Sequence, residues 1–273
     1  MSGRSNGFAQ VWQYRGLIGN FASRELKGRY KGSLLGSAWS LISPLATLLT
    51  YSIVFGFIMK FEPRVAGNGT LQSFPIYLFA ALAVWNLFNS VALGSMGALL
   101  SAGPLLRKIY FPPFAPVLGS ALAVLNQTAI EFGLLLAILL IVMNVGWSWL
   151  LLPVLLALWL AFSVGVGLIL ATINARFRDM THIAGVLFGL LFYSAPIIYP
   201  VELVHGQYAA HPWLRAYDYN PITVFVEAFR NVVWDLRMPD LDHMIYMVVV
   251  SCTVLFVGWT YFQRRSADIS EDL

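Results

Sequence analysis

Residues 147–173 read WSWLLLPVLLALWLAFSVGVGLILATI and hold no Asp, Glu, Lys or Arg. Crossing the hydrocarbon of a bilayer takes about 20 mainly apolar residues, and this segment exceeds that length without a charge. Further stretches of the same kind place spans at about 34–59, 74–100, 117–143, 183–199 and 244–262. The one at 183–199 is short, and Pro196 and Pro200 disturb its far end. Composition agrees. Of the 273 residues, 59% are hydrophobic and 11% charged, whereas a soluble domain carries roughly 25% charged residues. The chain is read as an all-α integral membrane protein of six transmembrane helices.

An even number of spans puts both termini on one side. Of 17 Lys and Arg residues, 12 fall on that side: six within residues 1–33, then Arg107, Lys108, Arg176, Arg178, Arg264 and Arg265. Positive charge marks cytoplasmic loops, so both termini are expected in the cytoplasm. The net charge of +4 reflects this topology, and no nucleic-acid partner is expected. The first 33 residues show no long apolar core, so no cleavable signal peptide is visible and the first span is expected to direct insertion. Cys252, alone in an apolar run, forms no intrachain disulfide and is expected as a small buried hydrophobe.

Residues 1–33 form a head. On a helix, Val11, Tyr14, Ile18, Phe21 and Ala22 share one face, with Gln13, Asn20, Arg24 and Lys27 opposite. That pattern predicts a cytoplasmic amphipathic helix lying in the membrane surface; a helix packed on protein is the alternative. Residues 34–273 form the transmembrane domain, and residues 200–243 its outer region. There, ITVFVEAFRNVVW (Ile222–Trp234) is too short to span. Glu227 and Arg230 stand at i, i+3, where they can pair. With Asn220-Pro221 ahead of it, this segment is expected to dip into the outer leaflet and return, between spans 5 and 6. The alternative is an amphipathic helix lying flat outside.

No G-x-x-x-x-G-K-[ST] loop is present to cradle ATP phosphates, and no H-E-x-x-H or Cys/His cluster to hold a metal. No catalytic residue, metal or cofactor is assigned to this chain. Gly165 and Gly167 are read as close helix packing, and the acceptor-like Asn68-Gly69-Thr70 as chance. Glu131, in the third span, is the one ionisable residue deep within a span. It finds no acidic or basic companions for proton coupling, so it is expected to hydrogen-bond between helices or line a polar passage. Aromatic rings stack on sugars, which makes Trp39, Phe55, Tyr77, Trp85, Phe88 and Tyr193, with Glu131, candidates for lining a passage. Packing and lipid contact are the alternatives for each ring.

Residues 24–45, RELKGRYKGSLLGSAWSLISPL, resemble the first-helix signature of permease subunits of polysaccharide-exporting ABC transporters of the O-antigen, teichoic acid and galactan type. LLRKIYFP (Leu105–Pro112), ARFRDM (Ala175–Met180) and APIIYP (Ala195–Pro200) match that family in order, as does NPI with Arg230 beyond it. One departure is Pro113-Phe114 after the FP pair, where the family commonly carries a charge.

The resemblance implies a homodimer of six-helix subunits in the bacterial cytoplasmic (inner) membrane. Two copies of a separate ATPase subunit would bind ATP and Mg, and the substrate would be a polyprenyl-pyrophosphate-linked polysaccharide carried outward through the membrane. It implies ATPase coupling through Arg107, Lys108, Tyr110, Phe111, Arg176, Arg178 and Asp179, and an outer gate containing Asn220, Pro221, Glu227 and Arg230. Arg24, Lys27, Arg29 and Lys31, at the cytoplasmic mouth, are suited to the lipid pyrophosphate. Two alternatives stay open: a small-molecule or drug efflux permease, and a membrane enzyme such as a lipid-linked sugar transferase.

Overall fold

A computed structural model describes residues 7–29, 31–60, 62–109 and 111–272. The helices are α1 (Gly7–Gln13), α2 (Arg15–Arg29), α3 (Trp39–Tyr51), α4 (Phe74–Leu106), α5 (Phe114–Ile141), α6 (Leu152–Arg176), α7 (Met180–Ser194), α8 (Glu202–His205), α9 (Pro221–Val233) and α10 (Leu241–Asp272). Short 3₁₀ turns precede α3, α6 and α9, and a π-helical stretch, Ser52–Ile58, continues α3. Five stretches are long and apolar enough to cross a membrane: Gly36–Ile58, Phe74–Leu106, Phe114–Ile141, Trp147–Arg176 and Leu241–Arg265.

The stretch at 183–199 departs from a full-length span. Its helix, α7, has 15 residues and stops at Ser194, a rise of about 22 Å. Pro196 has no N–H to continue the ladder, and the chain turns extended at Ala195. Even so, this short helix leads from the Arg176 end of the bundle to the opposite end, where the carbonyls of Pro196 and Ile197 are bound.

Pairings between helices fix their directions. The indole of Trp159 on α6 donates to the Val84 carbonyl of α4 over 2.7 Å, and Gly167 lies against Ser95 further along. The two helices are therefore parallel, and Arg107 and Arg176 emerge at the same end. Gly94 meets Ser120, which makes α5 antiparallel to α4. Gly165 has a separate reason to be glycine: a Cβ there would sit 2.6 Å from the Val254 carbonyl oxygen of α10. The expected close packing at Gly165 and Gly167 thus joins α6 to α10 on one side and to α4 on the other.

Helix α2 covers its apolar face with protein. Ile18, Phe21 and Ala22 are buried, and Phe21 presses on Gly119 at the start of α5, where any Cβ would collide. Phe21 also packs on Phe111 with ring centroids 5.6 Å apart. The aromatic centre of the subunit brings Phe88 onto Trp159, Phe162 and Phe188 at 5.1–5.9 Å.

Helix α3 touches the rest lightly, and α7 and α10 are open on one side. Leu49, Phe57, Leu190 and Phe256 are among their exposed large apolar residues, a surface fit for lipid or for another apolar protein face. Cys252 is exposed on α10, against the buried position expected of it. The outward face of a helix in lipid is as apolar as its inward face, so an apolar neighbourhood does not imply burial.

Candidate functional site

Three polar levels interrupt the apolar bundle. At the end where Arg107 and Arg176 emerge, Arg24, Lys27, Arg29 and Lys31 are all exposed. Arg24 lies over its neighbour Phe21 at 4.9 Å, and Arg29 makes a 3.7 Å contact with Glu25, a surface pair of little energetic weight. Arg107, Lys108, Arg176, Arg178 and Asp179 are exposed at this end as well. Phe111 is not: it is buried against Phe21. It anchors the α4–α5 loop to α2 and does not present its ring outward as a coupling residue would. Tyr110 lies outside the described residues.

Midway along the bundle, Pro44 organises a second level. Lacking an N–H, it leaves the Ser40 carbonyl without its helical partner one turn back. The Gln127 side chain of α5 fills the gap, donating to that carbonyl over 2.9 Å. One turn further along α5, Glu131 is 8% exposed; its Oε1 accepts from Gln127 at 3.5 Å. Asn86 on α4 faces the same carboxyl.

The third level, at the opposite end, is an ionic network around α9. Asn220 caps this helix by accepting from the Ile222 N–H at 3.0 Å, and Pro221 takes the first helical position, where no N–H is needed. Glu227 and Arg230 pair at 3.0 Å, as their spacing implied. Arg230 is fully buried and donates to the carbonyls of Pro196 and Ile197. Arg64, from the α3–α4 connection, reaches Glu202 at 2.7 Å, Asp235 at 2.9 Å and Glu227 at 3.3 Å. Tyr77 lies beneath both arginines, closer to Arg230. The Trp234 indole donates to the Arg64 carbonyl over 3.1 Å.

This network is sealed by backbone contacts. Asn144 donates to the carbonyls of Val233 and Trp234 and accepts from the Asn68 N–H. The Asn68 side chain accepts from the N–H groups of Thr70 and Leu71 and donates to the Val142 carbonyl, so this residue is committed to the fold. Nearly every side chain of α9 is buried among its neighbours, so it is not an isolated amphipathic helix. A cavity of about 410 Å³ opens beside the network, lined in part by Arg64, Glu202, Asp218, Glu227 and Arg237.

Charge and burial compete at this level. Burial works against the charged form of Arg64, but Glu227, Tyr77, Asp235 and Glu202 together hold its pKa above the ordinary arginine value. Burial would raise Glu202, yet its own backbone N–H and Arg64 bring it below the usual carboxylate value. For Asp235 burial wins over Arg64 and Arg237, and its pKa rises. Among the described residues, the one cluster of metal-ligand type is Asp240, Asp242 and His243; all three are exposed, as acidic surface groups commonly are.

Comparison with known proteins shows which family this helical bundle belongs to. The family model described as ABC-2 type transporter matches residues 17–234. The chain belongs to the ABC-2 type transporter family. An O-antigen export system permease protein, RfbA, from Myxococcus xanthus is 30% identical to this ABC-2 protein over 97% of the chain and 98% of its own length. A protein of the same name from Klebsiella pneumoniae is 25% identical, covering 92% of each chain. The polysialic acid transport protein KpsM of Escherichia coli is 25% identical over 89% of this chain and 90% of its own. The family and these relatives are transporters and not enzymes.

Within this ABC-2 chain the aromatic candidates fall into two groups. Tyr77, Trp85 and Phe88 are buried in the subunit, and Phe88 is surrounded by other rings, so these side chains pack on protein and offer no free face to a passage. Trp39 and Tyr193 are exposed, and Phe55 is half-buried against Phe74. Asn86, like Arg64, Glu202 and Asp235, was not singled out by sequence. Gln127, with Asn126 and Thr128, is legible in sequence as a polar side running into Glu131. Arg64 had none, because its partners lie 138 and 163 residues away.

Proposed function

We propose that this chain is the channel-forming membrane subunit of an ATP-driven exporter. It carries a polyprenyl-pyrophosphate-linked polysaccharide, of O-antigen, teichoic acid or galactan type, outward across the bacterial inner membrane. The observation that carries the reading is end-to-end alignment with permeases named for O-antigen export, at 97% of this chain and 98% of the relative. That coverage includes the head and the outer network, so the likeness is not confined to generic apolar spans.

In this reading α7 is a short fifth crossing, six crossings place both termini in the cytoplasm, and the subunit works as a homodimer. The uncovered faces of α3, α7 and α10 supply apolar surface for a second copy and for lipid. Two ATPase subunits, which bind ATP and Mg, dock where Arg107, Lys108, Arg176, Arg178 and Asp179 emerge together. Arg24, Lys27, Arg29 and Lys31 form a cationic rim suited to a pyrophosphate headgroup. Asn220, Pro221, Glu227 and Arg230 belong to the outer gate, with α9 as its rigid element. Depletion of the chain in its own host tests the reading: lipid-linked glycan should accumulate inside the cell while surface glycan falls. Unchanged surface glycan would overturn it.

A further inference from the structure

We propose that Glu131, Gln127 and Asn86 form a hydroxyl-binding station for an uncharged glycan, and that the passage is built for neutral rather than polyanionic polymer. The proposal rests on the export reading above and adds a substrate class to it.

The first support is the state of Glu131. Glu131 is buried; the Asn86 amide faces its carboxyl, yet no hydrogen bond of good geometry reaches Oε2 among the described residues. A buried polar atom without a partner is costly, and a donor from a ligand would offset that cost. A carboxyl oxygen accepts from O–H or N–H whether or not the other oxygen carries a proton. Sugar hydroxyls are donors of the required kind, and successive residues of a sliding chain can present them in turn.

The second support is the surface around it. Asn86 and Ser90, at i, i+4 on one face of α4, are exposed, as is Asn126 on α5. These amides and hydroxyls sit inside helices of 33 and 28 residues that are mainly apolar. Facing hydrocarbon would leave them unsatisfied; facing a polar passage would not. Asn86 lies 12 residues into α4, about 18 Å from its outer end at 1.5 Å per residue. The lightly packed α3 is tied beside this face by the Gln127 bond to Ser40, whose carbonyl Pro44 leaves free.

The third support is charge. Apart from residues at helix ends, Glu131 is the only Asp, Glu, Lys or Arg in the five long spans and α7. Between the Arg107 level and the Arg64 level, the spans therefore give an anionic polymer no cation to compensate the loss of water around its charges. A neutral glycan meets no such cost.

The test uses the full exporter in its own host. Glycan accumulated on depletion is purified and its charge per repeat read by anion-exchange chromatography and sugar analysis. A repeat without carboxylate or phosphate supports the proposal, and a regularly acidic repeat overturns it. If no lipid-linked glycan accumulates, the export reading itself fails, and this inference with it. For the station, Glu131→Gln should keep surface glycan within about two-fold of wild type, because the amide still accepts. Glu131→Leu should lower it about five-fold, the factor one hydrogen bond supplies, with membrane level and ATPase copurification unchanged. Wild-type export by Glu131→Leu would overturn the station. If Glu131→Leu fails to accumulate in the membrane, the exposed Asn86→Leu carries the same test: an export loss supports the station and wild-type export overturns it.

Discussion

The guanidinium carbon of Arg230 lies 3.9 Å from the centroid of the Tyr77 ring. Its terminal N–H groups donate to Glu227 and to the carbonyls of Pro196 and Ile197, while its Nε has no partner among the described residues. One buried cation thus joins α9 to α4 and to the turn that ends α7. Removing one member of a buried charged pair costs about 3–5 kcal/mol. Arg230→Met should therefore lower the thermal midpoint of the purified chain markedly. Arg230→Lys, which keeps the charge but not the planar fork, should lower it less. A melting curve in detergent reads both, and an unshifted midpoint for Arg230→Met would show that the network does not hold this end of the bundle.

Gly165 makes a second stability prediction. A Cβ there would come within 2.6 Å of the α10 backbone, whereas one at Gly133 would meet nothing within 4 Å. Gly165→Ala should destabilise by about 1–3 kcal/mol, the cost of overpacking, or require α10 to shift. Gly133→Ala should be neutral or slightly stabilising, since alanine favours helix. Equal melting temperatures for the two variants would contradict the α6–α10 contact.

The reading of spans from sequence succeeded where one rule governs: long uncharged runs become helices because lipid leaves backbone groups no other partner. It succeeded at Glu227 and Arg230 because their pairing is local, one helical turn apart. It stopped short at α7, where Pro196 ended the helix before the apolar run ended. It misplaced Phe88 and Tyr77, since a ring packed in a membrane protein's core and a ring lining its passage arise from the same apolar sequence. Arg64 was invisible for a different reason. Its three acidic partners come together only once α8, α9 and the segment after α9 are folded.

Two carboxylates of this network should respond to acid in opposite senses. Glu202 is held below its ordinary value of 4.5. Its stabilising contribution is complete above that pH and is lost as pH falls through the folded-state value. Asp235 is raised above 3.8, so its ionisation disfavours the folded state as pH rises through that window. The stability gap between wild type and Glu202→Gln should thus close on acidification, while Asp235→Asn should gain on wild type as pH rises. Thermal midpoints measured from about pH 3 to 7 check both; gaps that do not change with pH would contradict the assigned directions.

Coupling to the ATPase is predicted at the end where Arg107 and Lys108 are exposed. Arg107→Glu combined with Lys108→Glu should leave insertion intact but abolish ATPase copurification or its stimulation. Both side chains are exposed, and among the described residues neither makes a buried contact whose loss would unfold the bundle. Normal copurification and normal stimulation together would move the docking surface elsewhere.

The most direct measurement uses inside-out membrane vesicles containing the chain, its ATPase partner and the host's own lipid-linked glycan, probed with a glycosidase added outside. The account predicts that ATP moves the glycan into the vesicle lumen and protects it, and that vesicles lacking this chain show no protection. Glycan that remains fully digestible with ATP, in vesicles whose ATPase is bound and active, would contradict it.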